Sequence, residues 1–154
     1  MHIFFLFLVT LTLSLFGTAV YFAVENNFAL HAFFGLITTF ACLITHCWVF
    51  FYFIGTGEGI REGILEHKLD LAPIKKTKKF KAKTFPFALF SMIFMIVATI
   101  LGAGVQVGKI SVGWHRNLIY FSLFFNLFSF FQEFKTIQNN RKLMVDLNRQ
   151  IEEK

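Results

Sequence analysis

Residues 28–54 read FALHAFFGLITTFACLITHCWVFFYFI, a run of 27 residues without Asp, Glu, Lys or Arg that still carries two histidines, His31 and His46. A stretch this long and this apolar is long enough, as a helix, to cross the roughly 30 Å hydrocarbon core of a bilayer. Ionisable groups inside such a helix are costly, so each one is a functional candidate until a partner is found for it.

Three further apolar segments flank this run, at about 3–24, 85–107 and 117–134. The fourth is the most polar, because Asn126, Gln132 and Glu133 lie in it. Hydrophobic residues make up 56% of the 154-residue chain, 24 residues are Phe, and mean hydropathy is +0.62. Little chain is left for a separate soluble domain. A backbone in lipid must satisfy its own hydrogen bonds, so the spans are expected to be helices packed as a bundle. The sequence therefore predicts an all-α integral membrane protein, one membrane domain over 1–154 with four transmembrane helices. A basic cytoplasmic loop spans 55–84, and a cytoplasmic helical tail spans 135–154; the first part of the loop, with Ile60, Ile64, Leu65 and Leu71 as an apolar side, is expected to prolong span two or to lie on the membrane surface. The N-terminal run lacks a basic leader and a small-residue cleavage site, so it reads as a retained first span.

The basic residues set the orientation. Thirteen of the 15 Lys and Arg lie either between spans two and three or after span four; only Lys109 and Arg116 lie in the other connections. Four spans put both termini on one side, and the positive-inside rule makes that side the cytoplasm. This distribution accounts for the formal charge of +6 without nucleic acid. The compact loops suit a bacterial inner membrane. Lys75, Lys76, Lys78, Lys79, Lys81 and Lys83 crowd nine residues and are expected to contact anionic lipid headgroups. The loop glycines at 55, 57 and 59 lack the strand before and the Lys-Ser or Lys-Thr after that a phosphate loop needs. Pro86 is expected in the first turn of span three.

Placed at 100° per residue, His31, Gly35, Thr38, Cys42, Thr45 and His46 share one face of span two, and His115, Ser122, Asn126, Ser129 and Glu133 form a stripe on span four. Span one offers Thr10, Ser14, Gly17 and Thr18; span three offers Ser91, Ala98, Gly102 and the GxxxG pair Gly104 and Gly108. Small and hydroxyl residues on one face mark helix contacts in membranes. Depth divides the stripe. His31 and His115 form an outer pair, and His46, Thr45, Cys42, Asn126 and Ser129 form an inner group about 22 Å further in.

Several functions follow as expectations. An outer His pair with Gly35 beside it is what bis-imidazole haem b ligation requires. A metal on His31 and His115 would need Cys42 to reach up more than two turns, so no metal site is assigned. His46 is expected to hydrogen-bond Asn126 or Ser129, with a proton relay or a quinone contact as alternatives. Glu133 is expected near the cytoplasmic surface, beside Lys135 or water. The two cysteines, Cys42 and Cys47, point in different directions on one helix and are not expected to pair. No catalytic triad, carboxylate pair or HExxH motif is present. The leading expectation is a non-enzymatic accessory or structural subunit of a larger membrane assembly or homo-oligomer. The alternatives are a haem or quinone redox subunit, and a small transporter or channel using the polar stripe. Ile137, Asn140, Met144, Leu147 and Ile151 in the tail, spaced 3-4-3-4, fit either a coiled-coil seam or a helix lying on the rest of the molecule.

Overall fold

The computed structural model describes residues 2–153 and contains four helices: α1 (His2–Val24), α2 (Phe28–Glu66), α3 (Ala72–Gln106) and α4 (Val112–Glu152). No strand occurs among the described residues. Neighbours in sequence pack side by side, and α2 and α4 also touch directly, as do α1 and α4. At 1.5 Å per residue α2 is about 58 Å long and α4 about 61 Å. Both therefore extend far beyond the thickness of a bilayer core.

α1, α2 and α3 are long and apolar enough to cross a membrane. α4 is not among them, because the face it buries is polar: Ser122, Asn126, Ser129, Glu133, Thr136 and Asn140 all lie inside. Their 4-3-4-3-4 spacing continues through the apolar Leu143 and Leu147, which makes one straight seam down the helix.

The three links share one device. After α1, α2 and α3 the chain turns through a single left-handed residue, respectively Asn26 (φ 56°), Lys68 (φ 51°) and Gly108 (φ 69°). The next amide then bonds back into the last helical turn: Asn27 to the Phe22 carbonyl, Leu69 to Ile64 and Lys109 to Gly104. This is the Schellman arrangement, and it satisfies carbonyls that a helix end otherwise leaves bare. Asn27 also caps α2, its side chain accepting from the Leu30 amide at 3.2 Å.

Of the two courses open to the first part of 55–84, the chain takes the prolongation of span two: α2 runs through the glycines at 55, 57 and 59 to Glu66, and Ile60 and Ile64 just beyond them are buried against Leu143 and Leu147 of α4. Three expectations are corrected. The second part of 55–84 is not a loop, since α3 begins at Ala72 and the lysines form its first turns. Pro86 consequently lies well inside α3, where it removes an amide from the ladder, while Pro73 occupies the first turn. Gly104 and Gly108 are not a helix-contact motif; Gly104 lies against Ile110 and Gly108 supplies the left-handed turn.

Two apolar clusters hold the helices. Phe5, Val49, Tyr52, Phe53, Phe130 and Ile137 join α1, α2 and α4 at mid-height. Ile60, Ile64, Leu143 and Leu147 join the extensions of α2 and α4. The tail seam is thus spent on the chain's own α2, and Ile151 lies near Gly63. Of the two roles expected for the tail, the structure adopts the intramolecular one.

Candidate functional site

The site lies where α2 and α4 face each other. His46 is fully buried and uses both ring nitrogens. Nδ1 is 2.7 Å from Glu133 Oε1, and Nε2 is 3.0 Å from Asn126 Oδ1. Phe130 stacks on the ring with centroids 5.0 Å apart, closing one face with an apolar wall. Cys42 donates its S–H to the same Asn126 Oδ1 at 3.0 Å. Asn126 is oriented from behind, its Nδ2 donating to the Ser122 carbonyl at 2.8 Å.

These contacts fix the protons. Asn126 turns its amide nitrogen to a carbonyl, which only accepts, so Oδ1 is the atom facing His46 and Cys42. His46 Nε2 must therefore carry a hydrogen. One proton is then left for the short Nδ1–Oε1 contact. It sits on the imidazole, giving an ion pair, or on the carboxyl, giving a neutral pair. Either way the buried dyad is neutral as a whole, which is what the low-dielectric interior tolerates. The second carboxyl oxygen, Glu133 Oε2, is buried and has no hydrogen-bond partner.

Polar groups continue on both sides of the dyad. Toward the end that holds the 25–27 link, a cavity of about 10 Å³ lies among Thr12, Thr38, Cys42 and Asn126. That is about the smallest space that holds one water. Toward the lysine-bearing end, Asn140 Nδ2 donates to Tyr52 Oη at 3.2 Å and to Thr56 Oγ1 at 2.9 Å. Asn140 Oδ1 and the neighbouring Gln132 Oε1 are further buried acceptors without a partner.

Several residues fall elsewhere than expected. Glu133 is not at the surface beside Lys135; it is buried against His46. Its phase on α4 already placed it on the stripe with Asn126, and only its depth misled. Thr45 and Ser129 do not join the inner group: Thr45 bonds Thr12 of α1 at 3.1 Å, and Ser129 bonds Ser91 of α3 at 2.7 Å. Both tie neighbouring helices together. On α1 the inner face carries Phe5, Leu8, Thr12 and Ala19, while Thr10, Ser14 and Gly17 face out. A helix so uniformly apolar gives the sequence almost no phase to read. Thr12 was missed for the same reason; Tyr52, inside the expected second span, was not read as part of its polar stripe, and Asn140, read as the polar position of the tail seam, was not connected with the site.

The outer histidines meet. The rings of His31 and His115 are neighbours, with centroids 6.1 Å apart and planes at 78°. His31 Nδ1 donates to the Ala19 carbonyl at 2.9 Å, and His115 Nδ1 to the Ala98 carbonyl at 3.0 Å. Gly102 makes room for the His115 ring, since a Cβ there would lie 3.0 Å from Cε1. Gly35 borders no close neighbour. Cys42 is engaged with Asn126 and does not approach the outer pair's ring nitrogens in any hydrogen bond. His2 lies by Arg141, 3.2 Å away, and not by His46. Of the lysines, Lys75, Lys76, Lys78, Lys79 and Lys83 are exposed, and Lys81 folds over Gly57.

No protein-family model, no curated protein and no solved structure matches the chain. Its function must be argued from the site.

Proposed function

We propose that the chain is a four-span membrane protein, with both termini cytoplasmic, whose working part is a protonatable dyad, His46 and Glu133, held between α2 and α4. The fourth crossing is supported by α4 itself. Its polar face is turned inward, and Tyr120, Phe121, Phe124, Leu127, Phe128 and Phe131 are exposed on the other side, as lipid-facing residues would be. Trp114, 72% exposed, sits at the start of α4 where an interfacial aromatic belongs. The lysines of α3 then lie on the cytoplasmic side against anionic headgroups. The assignment to a bacterial inner membrane rests on the compact links and on this charge distribution.

The observation that carries the functional reading is the 2.7 Å contact between two fully buried ionisable side chains on α2 and α4. A contact needed only to join two helices is met more cheaply by a hydroxyl pair such as Ser91–Ser129, which this molecule also has. An imidazole and a carboxyl sharing one proton form instead a site that can be charged from one side and discharged to the other. A cavity large enough for one water lies beside it at Cys42 and Asn126, and the polar groups Tyr52, Asn140 and Thr56 lie further along the same two helices on the other side. The protein is accordingly read as a small proton-coupled transporter or proton relay without catalytic chemistry of its own. An accessory subunit of a larger assembly that hands protons to its partner would use the same site. In proteoliposomes with an entrapped pH dye, the wild type is expected to move protons, and His46→Gln and Glu133→Gln to abolish the movement. Wild-type vesicles no leakier than protein-free ones would defeat the transport reading.

A further inference from the structure

A second site lies at the other end of the molecule and uses none of the residues of the dyad. His31 and His115 come from different helices, and each donates its Nδ1 hydrogen to a main-chain carbonyl, of Ala19 on α1 and Ala98 on α3. A carbonyl only accepts, so in the neutral ring the proton is fixed on Nδ1 and the lone pair on Nε2. Both Nε2 atoms are without a hydrogen bond among the described residues, and both rings are only partly buried, so they can be reached from outside. A second ring nitrogen anchored on a carbonyl is the support that metal-bound histidines nearly always have. The two Nδ1 edges are held on different neighbours, α1 and α3, with the ring centres 6.1 Å apart between them.

We infer that His31 and His115 form a two-histidine binding site for a single Cu(I) ion at the outer mouth of the helices. The spacing agrees. With metal–nitrogen bonds of about 2 Å, two imidazoles on opposite sides of one ion have ring centres on the order of 6 Å apart, and the rings here are 6.1 Å apart. Two-coordinate Cu(I) sets no condition on the twist between the rings, and these stand at 78°. The donor set selects the charge. Among the described residues no group of three His, Cys, Asp or Glu is gathered for a metal, so a divalent ion here would be half-buried with no anionic ligand, which is costly. A monovalent ion that accepts two neutral nitrogens is the better match, and imidazole is a suitable ligand for copper.

The test uses the full chain purified in detergent, with Cu(I) supplied under ascorbate against a competing chelator. The variants are His31→Asn and His115→Asn. The Asn side-chain nitrogen replaces Nδ1 and keeps the bond to the carbonyl, while the Nε2 ligand is lost. One Cu(I) per chain is expected, weakened in either variant by more than the roughly 10- to 100-fold that loss of an outer hydrogen bond costs. Helical content should be unchanged, and X-ray absorption should report two nitrogen neighbours. Equal affinity in wild type and variants, no copper retained by the wild type, or sulfur in the copper shell would each overturn the site. A Soret band in the purified wild type that disappears in both variants would also overturn it, assigning the pair to haem.

Discussion

Glu133 places one carboxyl oxygen on His46 and leaves the other, Oε2, buried without a partner. A buried acceptor without a partner carries a desolvation penalty of about 1–3 kcal/mol. Its cost also makes the dyad measurable. Removing one member of a buried pair strands the other, and typically destabilises by about 3–5 kcal/mol. His46→Ala and Glu133→Ala should each show a loss of that order in reversible unfolding in mixed micelles. The double variant should be less damaged than the two losses added, with a coupling of roughly 0.5–3 kcal/mol. Simple additivity would mean that the two side chains do not depend on each other. The same reasoning separates this pair from Glu58 and Arg61, three residues apart on an exposed face of α2. There water screens the charges, and the contact contributes little.

At the level of the helix, the ends carry information that the apolar middles do not. Lys68 stands in the left-handed position that closes α2, where a Cβ is unfavourable by about 1–2 kcal/mol. Lys68→Gly should therefore raise the melting temperature, while Gly108→Ala at the matching position after α3 should lower it. A lower melting temperature for Lys68→Gly would show that the lysine side chain has a tie of its own. The existence and phase of α2 were legible from the absence of charge over 28–54 and from the spacing of His31, Thr38, Cys42 and His46. Its prolongation past Ile54 was legible as one of two courses, from the spacing of Ile60 and Ile64. What decides between them was not, because Ile60 and Ile64 pack on Leu143 and Leu147, far away in sequence. Gly55, Gly57 and Gly59 weaken the helix locally, and a contact that no local window contains outweighs them. The depth of Glu133 was hidden in the same way. Its phase with Asn126 was readable, but the partner that buries it, His46, lies 87 residues away in sequence.

For the whole molecule, the forces differ along its length. Between the spans, lipid is as apolar as the side chains, so packing and the bonds Thr12–Thr45, Thr39–Thr99 and Ser91–Ser129 hold the helices together. On the proposed topology Ile60, Ile64, Leu143 and Leu147 lie beyond the spans, where water would drive them together at about 1.5–3 kcal/mol for each large side chain fully buried. The topology proposed here puts that cluster and the α3 lysines on one side. Single cysteines replacing Lys79 and Asn148, in a Cys47→Ser background, should both react with an impermeant maleimide from the cytoplasmic face only. Opposite sidedness would remove the fourth crossing. The central claim is the shared proton, and infrared difference spectroscopy of the reconstituted protein between acid and alkaline pH tests it most directly. A carboxylic-acid C=O band that titrates is expected in the wild type, absent in Glu133→Gln and shifted in His46→Gln. A wild-type difference spectrum identical to that of Glu133→Gln would contradict it.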